Sequence, residues 1–433
     1  LRVLLVSHGY PPVGVAGVER LTAQLAGQLS ARGNEIAVFA CQPAETPPTL
    51  ALRHEIREGI PVHVMVGGGS TFGHYPGNEA AMERAFERLL IEFSPDVVLC
   101  GHLLHHSPGY VEVAHRWGIP IVLELHDFFM QCPRAHLLRT SGELCGGPEG
   151  GRACAVHCFG DQEDADLRWP LRARTFADAL AAADETIAPS QFVVDSFAHL
   201  RGGERPIRIV ENAVAHMGPV LRPERPAGQP LRLASIGVTV EHKGFQVVVD
   251  AIRQARIEHI FYTIFGIGLP PHSNYLYEMA SHAPGLQFKL AGGYAPHLLP
   301  VLLAEVDIVV VPSIVPETYS IVTREAFANG IPVIASRSGA LPDAIRPGDN
   351  GWLFEPGDAA GLAALLVELN ESQDRVRRAS EGISPDDWVT LEARTDQVEG
   401  LLAEVIERGP AAERPGAEEL RLMREALAVA ETG

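Results

Sequence analysis

Short apolar runs alternate along the chain with longer stretches in which apolar residues return every three or four positions. "LRVLLVSHGYPP" reads as a buried strand and a loop, and "GVERLTAQLAGQLSARG" as an amphipathic helix closed by Gly33. "NEIAVFAC" is the next strand. The pattern continues through helix "NEAAMERAFERLLIEF", strand "PDVVLCG", helix "YVEVAHRWG" and strand "IPIVLELHD". A cysteine-rich insert follows, then helix "WPLRARTFADALAAA", strand "ETIAPS", helix "QFVVDSFAHL" and strand "IRIVEN". This strand–loop–helix succession predicts a doubly wound parallel sheet.

The pattern breaks at "HMGPVLRPERPAGQP", whose Pro, Gly and Arg mark a linker. It restarts with "LRLASIG", helix "GFQVVVDAIRQA", "HIFYTIFG", helix "NYLYEMASHA", "LQFKLAGG", helix "HLLPVLLAEV", "DIVVVPS", helix "TREAFANG" and "IPVIAS". The expected fold is α/β, with two Rossmann-like doubly wound domains. Residues 1–215 form the first, with the insert at 132–158; residues 229–387 form the second, and 388–433 a helical tail. The last segment, "AEELRLMREALAVAE", reads as an amphipathic helix packed on a domain, with a homodimer contact as the sharper alternative.

Composition narrows the partners. With 433 residues and 46% hydrophobic content, the chain suits two soluble domains. Its net charge of −19 leaves no electrostatic footprint for nucleic acid. No apolar run reaches the roughly 18–20 residues of a membrane span. No signal peptide is visible, and the expected location is cytoplasmic. "RWPLRARTF", with Arg168, Trp169, Arg172, Arg174 and Phe176, is the one stretch suited to peripheral contact with anionic lipid; its alternative is an ordinary amphipathic helix.

The basic side chains are almost all arginine, and Lys243 and Lys289 are the only lysines. Lys243 follows a strand and stands beside a glycine that opens a helix. Ligands in open α/β sheets sit beyond the carboxyl ends of strands, so Lys243 is placed to neutralise a diphosphate. The strand "DIVVVPS" delivers Glu317 to a similar place, and the helix after it offers N-terminal amides to an anion. Glu325 follows eight residues later; a carboxylate beside a diphosphate suits sugar hydroxyls, although an acid near a helix start also simply suits the dipole. Gly266 of "IFGIGLPPH" and Tyr294 of "LAGGYAPH" lie in two further strand-end loops. Together these loops suggest a nucleoside-diphosphate site.

Glu317-x7-Glu325 followed by "AFANGIPVIAS", with "PPVGVAGVERLTAQLAGQLSARGNEIAVFA" near the start, resembles the retaining GT-B glycosyltransferases of family 4. The resemblance spans Leu1 to about Arg408 and implies two Rossmann-like domains facing a cleft, with the final helices crossing back to the first. It implies transfer of a sugar from a nucleoside-diphosphate sugar to an acceptor hydroxyl, by front-face attack and without a metal for chemistry. His126 and Glu317 would be the catalytic pair beside the sugar. Gly17, Lys243, Gly266, Tyr294, Thr318, Tyr319, Ser320, Ile321, Val322 and Glu325 would bind the donor, with amides at Ser320–Val322 on the distal phosphate and Glu325 on the ribose. The acceptor stays open between a natural product, a glycan and a lipid-linked sugar. One feature departs from the family. Val238 stands where an arginine usually follows the glycine, so a phosphate cation is missing unless Arg232, His242 or another arginine replaces it. The departure keeps a non-catalytic nucleotide-sugar-binding partner subunit as the alternative function.

Cys132, Cys145, Cys154 and Cys158 are spaced Cys-x12-Cys-x8-Cys-x3-Cys. Clustered cysteines in a reducing compartment more often hold metal than form disulfides. Structural Zn2+ is the expectation, with an iron–sulfur cluster, disulfides and free thiols as alternatives. Cys41 and Cys100 read as small buried hydrophobes. Asp127 is expected to hold His126 or to cap the following turn.

Overall fold

The apolar runs become strands, and those inside the sheets are buried on both faces, as parallel strands covered by helices require. In the computed structural model, residues 1–14, 17–42, 51–66, 80–201, 206–214, 229–267, 272–409 and Leu422 are described. They fall into two units, one taking the chain up to Glu211 and again from Leu391, the other Asn212–Thr390.

The first unit is built on strands β1 (Arg2–Ser7), β2 (Glu35–Gln42), β3 (Ala51–Arg57), β4 (Ile60–Val66), β5 (Val97–Cys100), β6 (Ile121–Glu124), β7 (Glu185–Ala188) and β8 (Arg208–Ile209). Their order is β3-β4-β2-β1-β5-β6-β7-β8, parallel except for the β3–β4 pair. One face is filled by Phe39, Phe86, Tyr110, Phe128 and their neighbours. The other buries Leu25 and Leu29 of the Gly17–Ala31 helix together with Val398, Leu402 and Val405 of the Leu391–Arg408 helix. The Leu391–Arg408 helix therefore belongs to the first unit.

The second unit holds a short parallel pair, β9 (Ala213–Val214) with β16 (Val389–Thr390), and a six-stranded parallel sheet. The sheet strands are β10 (Arg232–Ile236), β11 (Ile260–Phe265), β12 (Leu286–Gly292), β13 (Ile308–Val311), β14 (Val333–Ser336) and β15 (Gly351–Phe354), in the order β12-β11-β10-β13-β14-β15. In each sheet the chain reverses its direction of winding, beside β1 and β5 in one and beside β10 and β13 in the other. Such reversals open a crevice at the strands' carboxyl ends.

Sequence and structure differ in detail. The β3–β4 hairpin was not anticipated: β3 is an edge strand with no buried residue, so no apolar run announces it. The "HLLPVLLAEV" helix shrinks to Leu299–Leu303 after a 3-10 turn at Pro296–Leu298. "IRIVEN" yields only the two residues of β8. The expected last amphipathic helix lies outside the described residues except for Leu422, and most of the expected linker also lies outside them. Among the described residues no helix is long and apolar enough to cross a membrane. The stretch suggested for lipid contact is an amphipathic helix, as its alternative held: Trp169, Arg172 and Phe176 are only 1–2% exposed while the Arg174 side chain is 81% exposed. Arg172 instead donates to the Phe129 carbonyl at 2.6 Å, with its guanidinium over the Phe129 and Phe176 rings.

Candidate active site

In the second unit, β10 and β13 bring two predicted residues into direct contact. Lys243, in the short turn Glu241–Lys243 after β10, donates from Nζ to Glu317 Oε1 at 2.8 Å. Ser313, just past β13, donates its hydroxyl to the same oxygen. Burial opposes ionisation of Glu317, but the Lys243 charge and hydrogen bond, with Ser313, outweigh it and hold the carboxyl below its ordinary value. Two glycines make this approach feasible. Gly244 has φ of 72°, and a Cβ there would stand 1.9 Å from the Pro312 carbonyl oxygen. Gly339 has φ of 62°, and a Cβ would lie 2.1 Å from the Glu317 carbonyl oxygen. That oxygen accepts from the Ala340 amide at 2.8 Å, which pins the Glu317 backbone.

The segment after Glu317 is held from beneath. Arg324, buried in the Ile321–Ala328 helix, donates to the Tyr319 carbonyl and lays its guanidinium 4.0 Å from the centre of the Tyr319 ring. Ser320 caps that helix in a left-handed conformation, with its hydroxyl 2.9 Å from the Thr323 hydroxyl. The helix begins at Ile321, two residues earlier than the sequence suggested, so Ile321 and Val322 lie in its first turn, where amides lack intrahelical acceptors. Thr318 lies between Glu317 and Tyr319. Glu325 is half-buried in the same helix. Gly266 follows β11 and its amide donates to the Gly292 carbonyl at 2.8 Å, and Tyr294 packs half-buried against the apolar cluster around Val309 and Val311.

Val238 is 43% exposed at the end of β10. Arg232 does not replace the missing cation. It sits at the opposite end of β10, bonded through its amide to Asp307 and paired with Glu305. His242 is better placed: it neighbours Lys243 and helps to lower the Glu317 pKa.

In the first unit, His126 follows β6 and is 7% exposed. Its partner is not Asp127. His126 Nε2 lies 3.2 Å from Glu124 Oε2, and Glu124 Oε1 is paired with Arg394. Burial works against the Glu124 charge, yet Arg394 and His126 draw its pKa down to about 2. Asp127 caps the next turn, accepting from the Phe129 amide at 2.7 Å, and pairs with His102 Nε2 at 3.1 Å. His102 Nδ1 accepts from the Leu104 amide at 2.9 Å, so Nε2 carries the proton toward Asp127. The His102 ring stands 4.5 Å from that of His8, whose Nε2 meets Glu19 Oε1 at 3.1 Å. Gly17 opens the helix that carries Glu19.

Cys132, Cys145, Cys154 and Cys158 line one pocket with Leu137, Leu138 and Phe159. All are free thiols. Burial first, then the neighbouring cysteines, pushes the Cys154 thiol up to about 12, so it is protonated. The zinc expectation is not supported: among the described residues no three or more His, Cys, Asp or Glu are grouped so as to hold a metal ion. Cys41 and Cys100 are buried in the core, as read from the sequence.

Ser313, Arg324, Glu124, Arg394, His8, Glu19 and His102 escaped the sequence reading. His8 and His102 had a usable signal, because each lies within two residues of the end of a strand flanking a reversal of winding. Arg394 had none, being 270 residues from Glu124.

Residues 15–216 match the family described as "Glycosyltransferase Family 4", and residues 221–383 match "Glycosyl transferases group 1". The glycogen synthase of Mycobacterium tuberculosis is 27% identical over 92% of this chain and 94% of its own. The D-inositol 3-phosphate glycosyltransferase of Acidothermus cellulolyticus is 26% identical over 82% of this chain and 78% of its own. Among solved structures, sucrose-phosphate synthase of Thermosynechococcus elongatus has a TM-score of 0.68 at 18% identity, covering 94% of this chain and all of its own. The Anabaena HepE protein, solved in complex with UDP, has a TM-score of 0.66 at 16% identity over 93% of this chain and all of its own.

Proposed function

The chain belongs to glycosyltransferase family 4 and is a glycosyltransferase of the GT-B fold, and from that premise we propose that it transfers a sugar from a nucleoside-diphosphate sugar to an acceptor hydroxyl with retention of configuration. The observation that carries the reading is the Lys243–Glu317–Ser313 cluster at the reversal between β10 and β13.

In this reading the second unit binds the donor. Lys243 turns from Glu317 to the diphosphate, and the first-turn amides at Ser320–Val322 receive the distal phosphate. Glu317, released from Lys243, contacts the transferred sugar; Glu325 accepts from the ribose hydroxyls. Gly266 and Tyr294 flank the nucleoside, with Thr318 and Tyr319 completing the loop. The first unit supplies Gly17 and His126 and receives the acceptor. The C1–O bond to the diphosphate breaks as the acceptor oxygen bonds C1 on the same face. The acceptor proton passes to the departing phosphate oxygen. Lys243 and the helix amides stabilise the charge that develops there, with His242 nearby to offset Val238.

The test is a thermal-shift panel with UDP, GDP, ADP and TDP on wild type and Lys243→Ala, followed by assay of nucleotide release from the matching sugar donor. Ligand bound only by the folded state raises Tm by mass action. UDP is the first probe, since HepE was solved with it. A shift with one nucleotide that is lost in Lys243→Ala supports the reading. No shift with any of the four overturns the donor site.

A further inference from the structure

We propose that Arg394 is a positioning residue for His126, acting through Glu124. The inference rests on the reading that His126 stands beside the transferred sugar.

Arg394 is 0% exposed in the first turn of the Leu391–Arg408 helix. Burying a guanidinium is costly unless its donors are satisfied. Here the two terminal nitrogens reach three acceptors, Glu124 Oε1, the Val210 carbonyl at 3.2 Å and the Glu211 carbonyl at 2.7 Å, and only Nε is left without a partner. A planar fork suits several acceptors at once, whereas an ammonium is a single point charge. The second oxygen of Glu124 faces His126 Nε2. An ionised carboxylate only accepts hydrogen bonds, so Nε2 must carry the imidazole proton, which makes Nδ1 the acceptor nitrogen. The guanidinium thus sets both the tautomer and the rotation of the His126 ring.

The same contacts tie His126 to the chain's path. Glu211 is the last residue of the first unit before the chain leaves it, and Leu391 is where the chain returns. Arg394 gathers the point of departure, the point of return and the strand-end acid on one side chain. Without it, Glu124 is left buried with its countercharge gone and takes up a proton. The resulting O–H donates to His126 Nε2, and the imidazole proton moves to Nδ1.

The test is long-range nitrogen–proton NMR on protein labelled in its histidine rings, with the His126 signals identified by their loss in His126→Gln. Wild type should show the Nε2–H form. Arg394→Met should lose it in favour of Nδ1–H or a mixture, while Arg394→Lys, which keeps the charge, should retain it. A wild-type tautomer in Arg394→Met overturns the proposal. If that variant does not fold, Glu124→Leu with Arg394→Met replaces both charges by apolar groups; a surviving pure Nε2–H form there overturns it equally. In kinetics, release of UDP from UDP-glucose by Arg394→Met should fall on the order of 10- to 100-fold. UDP affinity should not move, since Lys243 and Glu317 belong to the other unit; a parallel loss of both marks a merely structural role and overturns the proposal. If UDP binds neither protein, the donor reading fails while the tautomer still decides the role of Arg394.

Discussion

The two units each place one acid–base pair at strand ends, and the pairs differ in what surrounds them. Glu124 and Arg394 have side chains 6% and 0% exposed; the terminal guanidinium nitrogens meet Glu124 and two protein carbonyls, Glu124 also faces an imidazole, and Arg394 Nε is left without a partner. Glu317 and Lys243 are 13% and 36% exposed, and Lys243 reaches solvent. A closed pair fixes geometry, because any exchange of partners leaves a charge in apolar surroundings. An open pair can trade partners, because water or an arriving anion replaces what is given up. The first suits a support and the second a site.

The largest effect that separates them is on stability. Arg394→Met should destabilise the fold by about 3–5 kcal/mol, since it leaves Glu124 buried without its countercharge, to be neutralised by a proton; chemical denaturation measures this, and the Glu124→Leu/Arg394→Met double variant should recover much of the loss. Lys243→Ala should cost about 1 kcal/mol or less by the same measurement, as a partly exposed pair does. Its catalytic cost should be on the order of 10²–10³ in kcat. Equal stability losses in the two variants would erase the distinction.

Acid sharpens the comparison next. Glu124 is drawn from 4.5 to about 2 in the folded state. A depressed folded pKa gives stability that is present above the unfolded value and lost as the pH falls through the folded one. Wild-type Tm should therefore fall between about pH 4.5 and 2 more steeply than that of Glu124→Gln. Thermal scans across that range would show parallel curves if the pair carried no linkage. The smallest effect expected is at Arg88–Glu92, side chains 68% and 42% exposed on one helix face. Arg88→Ala should change stability by less than about 0.5 kcal/mol, which sets the floor against which the other losses are read.

The open pair was legible in the sequence and the closed one was not. Lys243 and Glu317 each follow an apolar strand, and strand-end loops of a doubly wound sheet converge whatever their separation along the chain. The alternation of apolar runs and helical periods likewise gave the parallel sheets. Arg394 sits in a helix whose pattern announces only amphipathicity, and it meets Glu124 because that helix returns to the first unit. Of the two roles open to Asp127 in the sequence, the structure shows the cap on the following turn, while Glu124 faces His126. The β3 edge strand stayed hidden because no face of it is buried, so nothing selects an apolar pattern.

The return of the Leu391–Arg408 helix to the first unit also bears on how the protein is made. A ribosome delivers Glu124 early and Arg394 late, after every strand of the second sheet. Domains emerging from synthesis tend to fold in order. Here the first to emerge waits for the Leu391–Arg408 helix before its buried carboxylate meets a countercharge. The nascent first unit should therefore hold Glu124 protonated or solvated, and become protease-resistant only after residue 408 has cleared the exit tunnel.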